Sequence, residues 1–174
     1  MSGCMQPSGQ SSSEAFDPVD GNAITTLAPA RIGETNVEET CRQEIIRLHQ
    51  IIEQWFCGHV PQSNEAFAPF QDALAEGFHI VQPSGVIQDK ANVVSNMWQA
   101  HGARSAPFRI EIRNPVCYFV LGSCCLMTYE EWQYGHETTA RLSTVLFRQT
   151  STHLGVEWLH LHETWLPNDG QANV

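Results

Sequence analysis

The stretch TTARLSTVLFRQTSTHLGVEWLHLHETWL, residues 138–166, decides the fold class of this chain. It contains two long runs of β-branched, aliphatic and aromatic residues, 138–148 and 156–166, on either side of the polar loop 149–155. Runs of this composition, separated by a polar turn, are typical of neighbouring antiparallel strands. We therefore expect the C-terminal part of the chain to form a sheet.

Upstream of these two strands, the sequence predicts more strands of the same meander. Residues 108–113 and 116–121 have strand composition and flank Asn114-Pro115, and residues 124–133 follow the turn at Gly122-Ser123. Because consecutive strands joined by short turns usually pair with one another, we expect one long antiparallel meander.

The N-terminal half predicts helices. The first follows one of two alternative capping boxes, Thr35 with Glu38 or Asn36 with Glu39, and Gly58 is its expected end. Its apolar residues recur at helical spacing and form one stripe: Cys41, Ile45, Leu48, Ile52 and Trp55.

A second helical stretch covers residues 64–75, and we expect Pro69 to interrupt it. A hairpin of residues 78–82 and 86–88 comes next, and Asp89 caps a third helix over 90–101. The order is helix, helix, hairpin, helix and meander. Helices segregated to one side of such a sheet are typical of an α+β domain.

One folded domain is expected over residues 37–167. Residues 1–36 are rich in Ser, Gly and Pro and have too few apolar side chains to offset the entropy of ordering. We therefore expect a disordered N-terminal tail over 1–36, and a short C-terminal tail over 168–174.

The composition excludes several classes of partner. Nine Lys and Arg stand against 19 Asp and Glu, a formal net charge of -10. Nucleic acids and anionic membrane surfaces attract clustered positive charge, so we expect neither as a partner. No apolar run approaches the length of about 20 residues that a membrane span needs.

The cysteines and the start of the chain together predict a cytoplasmic protein. No apolar segment with a basic flank opens the sequence, which argues against a secretory signal. The six cysteines contain no CxxC pair. We interpret them as reduced thiols that pack as small apolar side chains.

Two short motifs reveal a resemblance to a known family. Ile112-Arg113-Asn114-Pro115, with the strand that runs on to Leu121-Gly122, is similar to a strand of the association (hub) domain of calmodulin-dependent protein kinase II. Trp158-Leu159-His160-Leu161-His162 is similar to the end of that domain. The whole element order resembles the nuclear-transport-factor-2-like (SnoaL-like) superfamily.

The resemblance implies a cone-shaped, cystatin-like α+β fold in which a curved antiparallel sheet rolls around a pocket and three helices close the wide end. Members include ketosteroid isomerases, polyketide cyclases, dehydratases, non-catalytic binders and assembly modules, so the fold alone does not choose a function. Glu163 stands where the hub domain has a pocket arginine. We therefore expect a smaller assembly than the hub, a homodimer.

The alternation of the last strand places Glu163 in the pocket. One row of side chains is Leu159, Leu161, Glu163 and Trp165, and the other is Trp158, His160, His162 and Thr164. The first row is more apolar and should face the core. A carboxyl among apolar neighbours has a raised pKa, as a general acid or base requires. The alternative is a structural ion pair or a hydrogen-bonded buried glutamate.

The neighbouring strands supply partners for Glu163. Arg141 either points inward, where it could pair with Glu163 or bind a substrate carboxylate, or points outward into solvent. Tyr129 and Glu131 share one face of their strand, and we favour the outer face. The candidate catalytic residues are Glu163, Arg141 and Tyr129. The candidate ligand contacts are Trp98, Thr144, Leu161 and Trp165.

These residues predict binding of a small, partly apolar molecule and no cofactor, and they leave two alternatives open: binding alone, or acid–base chemistry of the isomerase, cyclase or dehydratase type. The alternative function is a non-catalytic association module similar to the kinase hub domain.

The histidines give a third hypothesis. His160 and His162 project from the same side of a strand and could bind a metal with a third ligand from His136, Glu131 or His79. We favour packed histidines in a dimer interface beside Trp158, and we predict no metal. The remaining histidines fall on helix ends or loops, where we expect them to face solvent: His49, His59, His101 and His153.

Overall fold

The computed structural model describes residues 37–104 and 107–167. The two expected tails, 1–36 and 168–174, and the capping residues Thr35 and Asn36 lie outside the described residues. Three helices are described: α1 Val37–Phe56, α2 Asn64–Gln71 and α3 Lys90–Gln99.

The apolar stripe of α1 packs into the core as its spacing predicts. Cys41 and Ile45 are fully buried, and Leu48 and Trp55 are nearly so. Gly58 follows the helix with φ at 66°, a left-handed conformation that glycine adopts without steric cost, and ends it where expected.

Helix α2 does not break at Pro69, so the expected interruption is wrong. Pro69 lies inside the helix, and the chain stays helical until Gln71. The carbonyl that a residue at this position would bond belongs to Glu65. Both residues are exposed, so water can solvate that carbonyl and the missing hydrogen bond costs little. The helix is nevertheless shorter than expected, because β1 already begins at Leu74.

Asp89 caps α3 as predicted. Its side chain accepts a hydrogen bond from the backbone N–H of Asn92 at 2.9 Å. The helix ends at Gln99, two residues before the expected end, and Gly102 follows with φ at 66°. Within residues 37–104 and 107–167, none of the helices combines the length and the apolar character that crossing a membrane requires.

Six strands form one curved, unclosed sheet. In sheet order they run β2, β1, β6, β5, β4, β3, with β1 parallel to β6 and every other neighbouring pair antiparallel. Their bounds are β1 Leu74–Val81, β2 Ile87–Asp89, β3 Arg109–Leu121, β4 Cys124–Tyr134, β5 Thr139–Gln149 and β6 Val156–Trp165. The predicted α+β class is confirmed, with the three helices and the long meander as the sequence indicates.

Strand β3 is one strand, although the sequence predicts two. The pairing with β4 shifts between Arg113 and Val116, which marks a bulge. Asn114 has φ at 51°, and its side-chain amide donates to Glu130 at 3.0 Å. A bulge bends a strand and increases its twist. The Asn-Pro pair therefore curves the sheet at this point instead of ending the strand.

A second irregularity in β6 corrects the predicted rows of side chains. The pairing with β5 shifts between Leu146, opposite His160, and Phe147, opposite Trp158, so that Leu159 is the extra residue. Trp158 therefore turns inward and is 1% exposed, although simple alternation places it outside. From His160 onward the alternation holds.

The described cysteines are all unpaired thiols. Cys117 and Cys125 lie 3.7 Å apart at their sulfur atoms, and Cys41 is fully buried beside them. Burial raises the pKa of the Cys125 thiol to about 11, so this thiol stays protonated.

The positive φ at Asn114 predicts a difference between two substitutions. Asn114→Ala and Asn114→Gly both remove the hydrogen bond to Glu130, but only alanine is strained in the left-handed region. We expect Asn114→Ala to be less stable than Asn114→Gly by about 1 kcal/mol, measured by urea denaturation. Equal stabilities of the two variants would show that the conformation of Asn114 stores no strain.

Candidate functional site

A cavity of about 470 Å³ lies between the concave face of the sheet and the helices α1 and α3. Its volume is in the range of small-molecule sites, about 300–1,000 Å³. Most of its wall is apolar, and representative lining residues are Ile52, Phe70, Phe78, Met97, Trp158 and Leu161. Such a surface suits the apolar body of a ligand.

The ionisable side chains on the cavity wall, within the described part of the chain, are His49, Glu131, Arg141 and Glu163. They form one connected series, which we call the charge chain. His49 Nε2 lies 3.2 Å from Glu131 Oε2, and Arg141 Nη2 lies 3.2 Å from Glu131 Oε1. Arg141 Nη1 lies 3.1 Å from Glu163 Oε2.

His49 begins the charge chain, and its predicted exposure to solvent is wrong. It lies inside α1 and is 4% exposed. Its Nδ1 is 2.7 Å from the carbonyl of Ile45, and its Nε2 faces Glu131. Both partners accept hydrogen bonds only, so the ring satisfies both with a proton on each nitrogen. The signal was present in the sequence, since His49 follows Leu48 and stands four residues after Ile45 on the apolar stripe.

Glu131 is the central carboxylate, and its predicted place on the outer face is also wrong. It is 5% exposed and points into the cavity. Burial favours the neutral form of this carboxyl, but the charge and hydrogen bond of His49, together with Arg141 and Gln133, outweigh it and lower the pKa to about 2. The amide of Gln133 donates to Oε1 at 2.7 Å. Glu131 is therefore ionised and fully hydrogen-bonded near neutral pH.

Glu163 ends the charge chain in a different state. It is 4% exposed, and within the described residues it accepts hydrogen bonds from Arg141 alone. Burial raises its pKa above the ordinary value, and the negative charge of Glu131 adds to this, while Arg141 opposes it. Glu163 is thus both a buried carboxyl with a raised pKa and a member of an ion pair, which the sequence predicts as alternatives. Arg141 takes the inward of its two predicted orientations.

Tyr129 lies behind the cavity wall. It is fully buried on the same side of β4 as Glu131, and its ring meets that of His49 edge-on at 5.3 Å. Burial, with the charge of Glu131, raises the pKa of this phenol well above the ordinary value. Its hydroxyl and that of Ser143 are neighbours, but both lack a hydrogen bond of good geometry in the described part of the chain. The predicted catalytic Tyr129 therefore touches His49 and is not a cavity-lining residue.

The four predicted ligand contacts divide into two groups. Leu161 and Trp165 line the cavity, and Trp165 is 53% exposed. The predicted ligand contact of Thr144 is wrong, because this residue alternates with the buried Ser143 and pairs with His162 on the outer face. The predicted contact of Trp98 is wrong too. It packs against Trp55 and Phe67 with ring separations of 5.4 and 5.2 Å, and its neighbour Met97 lines the cavity instead.

The outer face of the sheet holds the histidines of the metal hypothesis. The rings of His79 and His160 lie 4.5 Å apart, and His162 is exposed on the same face. Glu131 cannot join them, because it lies in the cavity on the opposite face. Across residues 37–104 and 107–167, no three His, Cys, Asp or Glu side chains are grouped so that they could hold a metal ion.

Comparisons with known proteins agree with this fold. Residues 41–167 match the family described as "Sucrose-6-phosphate phosphohydrolase C-terminal". No curated protein matches the sequence.

Several solved structures share this fold. A nuclear-transport-factor-2-like protein of unknown function from Pseudomonas aeruginosa is 28% identical, with a TM-score of 0.68 over 74% of this chain and 99% of that one. Another, from Pseudomonas putida, is 14% identical, with a TM-score of 0.59 over 81% and 95%. A protein provisionally described as a calcium/calmodulin-dependent kinase II association domain, from Exiguobacterium sibiricum, is 13% identical, with a TM-score of 0.51 over 78% and 98%. The predicted resemblance is thus confirmed at the level of the fold.

The lowered pKa of Glu131 predicts how acid destabilises the protein. The folded pKa of about 2 lies below the ordinary value of 4.5, so the ionised carboxylate stabilises the fold above pH 4.5 and loses this effect as the pH falls toward 2. The loss is roughly 3 kcal/mol for this group. We expect Glu131→Gln to flatten the decrease in unfolding free energy over this pH range, measured by urea denaturation.

The control for this experiment is Glu157→Gln, which removes a carboxylate paired with Arg148 on the surface of the same sheet. This variant should keep the acid dependence of the wild type. His49→Gln, which removes the largest favourable influence on Glu131, should flatten the curve in the same direction. A curve for Glu131→Gln as steep as that of the wild type would contradict the assignment.

Proposed function

Because the chain belongs to the family of sucrose-6-phosphate phosphohydrolase C-terminal domains and has a nuclear-transport-factor-2-like fold, we propose that it binds a small, partly apolar molecule in the cavity and acts on it by acid–base chemistry. The reaction class is that of an isomerase, cyclase or dehydratase. The working unit is residues 37–167. The unpaired thiols suit a reducing compartment such as the cytoplasm.

The single observation that supports acid–base chemistry is the difference between the two cavity carboxyls. Glu131 has a lowered pKa and Glu163 a raised one, although both contact the same guanidinium. Two titratable groups whose environments separate their pKa values mark the acid–base residue and its ionised partner. Glu163 is the group that gains and loses a proton, and Glu131 is the permanent anion.

Each member of the charge chain then has a defined role. Glu163 accepts a proton from the substrate and returns it at another atom, which requires no cofactor. Arg141 orients the Glu163 carboxylate and stabilises its negative charge before the first transfer and after the second. Glu131 and His49 are positioning residues, because Glu131 holds Arg141 through its other terminal nitrogen and His49 holds Glu131.

The ring opening of nitrobenzisoxazole tests this proposal. A base removes the ring proton, the N–O bond breaks, and a coloured cyanophenolate forms, so the reaction reports a desolvated carboxylate in an apolar cavity. We expect the wild type to accelerate the reaction, with a rate that rises with pH through a pKa above 4.5, because the carboxylate is the reactive form. Glu163→Gln should lower the rate about 100-fold.

The matched control is Glu157→Gln on the same strand, which should retain the wild-type rate. Circular dichroism and thermal unfolding check that both variants fold. A Glu163→Gln variant with the rate of the wild type would exclude Glu163 as the base.

The outer sheet face supports a second proposal, that the protein is a homodimer. Leu142 is 42% exposed on this face, and Leu126 and Leu146 are half-buried beside it. His160 has a buried Nδ1 atom without a hydrogen-bond partner in the described residues. An exposed apolar sheet face is a common interaction surface. If the cavity carboxyls performed no chemistry, association through this face would be the remaining function.

Replacing His160 with aspartate tests the dimer, because it adds a charge in the middle of the outer face. We expect the wild type to sediment as a dimer and His160→Asp to dissociate about tenfold more readily. His59→Asp, in an exposed loop after α1, is the control and should sediment like the wild type. A monomeric wild type, or a His160→Asp variant with an unchanged profile, would contradict the proposal.

A further inference from the structure

The geometry of the charge chain points to an uncharged ligand: we infer that the cavity binds neutral molecules with an apolar body and a hydroxyl or enolisable carbonyl group, and rejects organic anions and cations of the same size. This inference rests on the proposed function, since it concerns the ligand of the same cavity.

The charge chain is balanced without a ligand. Its members alternate along the wall: the imidazolium of His49, the carboxylate of Glu131, the guanidinium of Arg141 and the carboxylate of Glu163. The two positive and two negative charges cancel when Glu163 is ionised. Each internal charge lies within 3.2 Å of a partner of opposite sign. Each member of the charge chain therefore has a counter-charge within the protein.

The rest of the polar wall carries no charge. Within residues 37–104 and 107–167, the other polar lining residues are neutral: Gln82, Ser84, Gln88, Asn96 and Gln133. Gln82 donates to Gln88 at 3.0 Å between β1 and β2. Amides of this kind bind neutral donors and acceptors and give no net attraction to an ion.

A charged ligand would therefore leave an excess charge in a buried site. An anion beside Arg141 competes with two carboxylates that already use this guanidinium, and a cation beside Glu163 meets Arg141 at the same place. Burying an unpaired charge is far more costly than burying a neutral polar group. A phosphorylated sugar, with nearly two negative charges near neutral pH, is excluded by the same argument.

A neutral donor, in contrast, finds an acceptor ready. The Glu163 carboxylate accepts hydrogen bonds from Arg141 alone, so lone pairs remain for an O–H group of the ligand. A hydrogen bond to an ionised carboxylate is stronger than one between neutral groups. The aromatic and aliphatic wall around Phe70, Phe78 and Trp158 accommodates the remainder of the molecule.

Three naphthalene probes of similar size test the inference: naphthylmethanol, naphthoate and naphthylmethylammonium. Isothermal titration calorimetry at pH 7 should show that the wild type binds the alcohol about tenfold or more tightly than either ion. Glu163→Gln removes one negative charge and leaves the charge chain, the series from His49 to position 163, with an excess of one positive charge. This variant should gain about tenfold in affinity for naphthoate and should bind the alcohol more weakly, because a neutral amide oxygen is a weaker acceptor than an ionised carboxylate.

Glu157→Gln is the control, and it should keep the wild-type order of affinities. The inference is overturned if the wild type prefers naphthoate or the ammonium, if Glu163→Gln gains no affinity for naphthoate, or if none of the three probes binds. The probes undergo no proton transfer. A correct order of affinities without ring opening of nitrobenzisoxazole would refute only the proposed chemistry, and ring opening with a preference for naphthoate would refute only the ligand class.

Discussion

The hydrogen-bonded ion pair between His49 and Glu131 joins the first helix to the middle of the sheet, and the arrangement of the cavity depends on it. Both side chains are buried, so neither charge can be left without its partner. The pair thereby restricts how α1 can lie across β4. It also orients the Glu131 carboxylate so that its second oxygen faces Arg141, which in turn reaches Glu163. One helix-to-sheet contact thus sets the positions of the charged groups on the wall.

The chemical difference between the two carboxyls follows from this order. Glu131 lies between two cations and also accepts from the amide of Gln133, so its ionised form is stabilised from three directions. Glu163 has a single cation, and that cation is shared. The same side chain, buried to the same degree, therefore holds its proton differently at the two positions. Packing creates this asymmetry, because identical carboxyls would titrate alike in water.

Sequence patterns predict this fold well and its site only in part. Periodicity and turn signals locate the helices and the meander, and alternation places Glu163 correctly from His160 onward. Alternation fails at Trp158, because the bulge at Leu159 moves Trp158 to the inner face of the sheet. No residue pattern in the sequence predicts this bulge. The predicted face of Glu131 is wrong, since alternation separates two rows of side chains but does not indicate which row is buried. The sequence does not identify His49 as a site residue, because its partner Glu131 lies far away in the chain and comes near only in the folded protein.

The pairing of charges within the charge chain affects both the stability of the free protein and the way in which the cavity can recognise a ligand. A site that binds an ion through a buried counter-charge leaves that charge unpaired in the free protein, which destabilises the fold until the ligand arrives. Here the charged groups pair with one another within the protein, so the free protein does not bear this cost. A ligand of the class inferred above would then contribute shape, apolar surface and one proton-bearing group instead of a charge. The carboxyl with the raised pKa, Glu163, is also the one with lone pairs left for that group, so in the function proposed above recognition and proton transfer converge on one side chain.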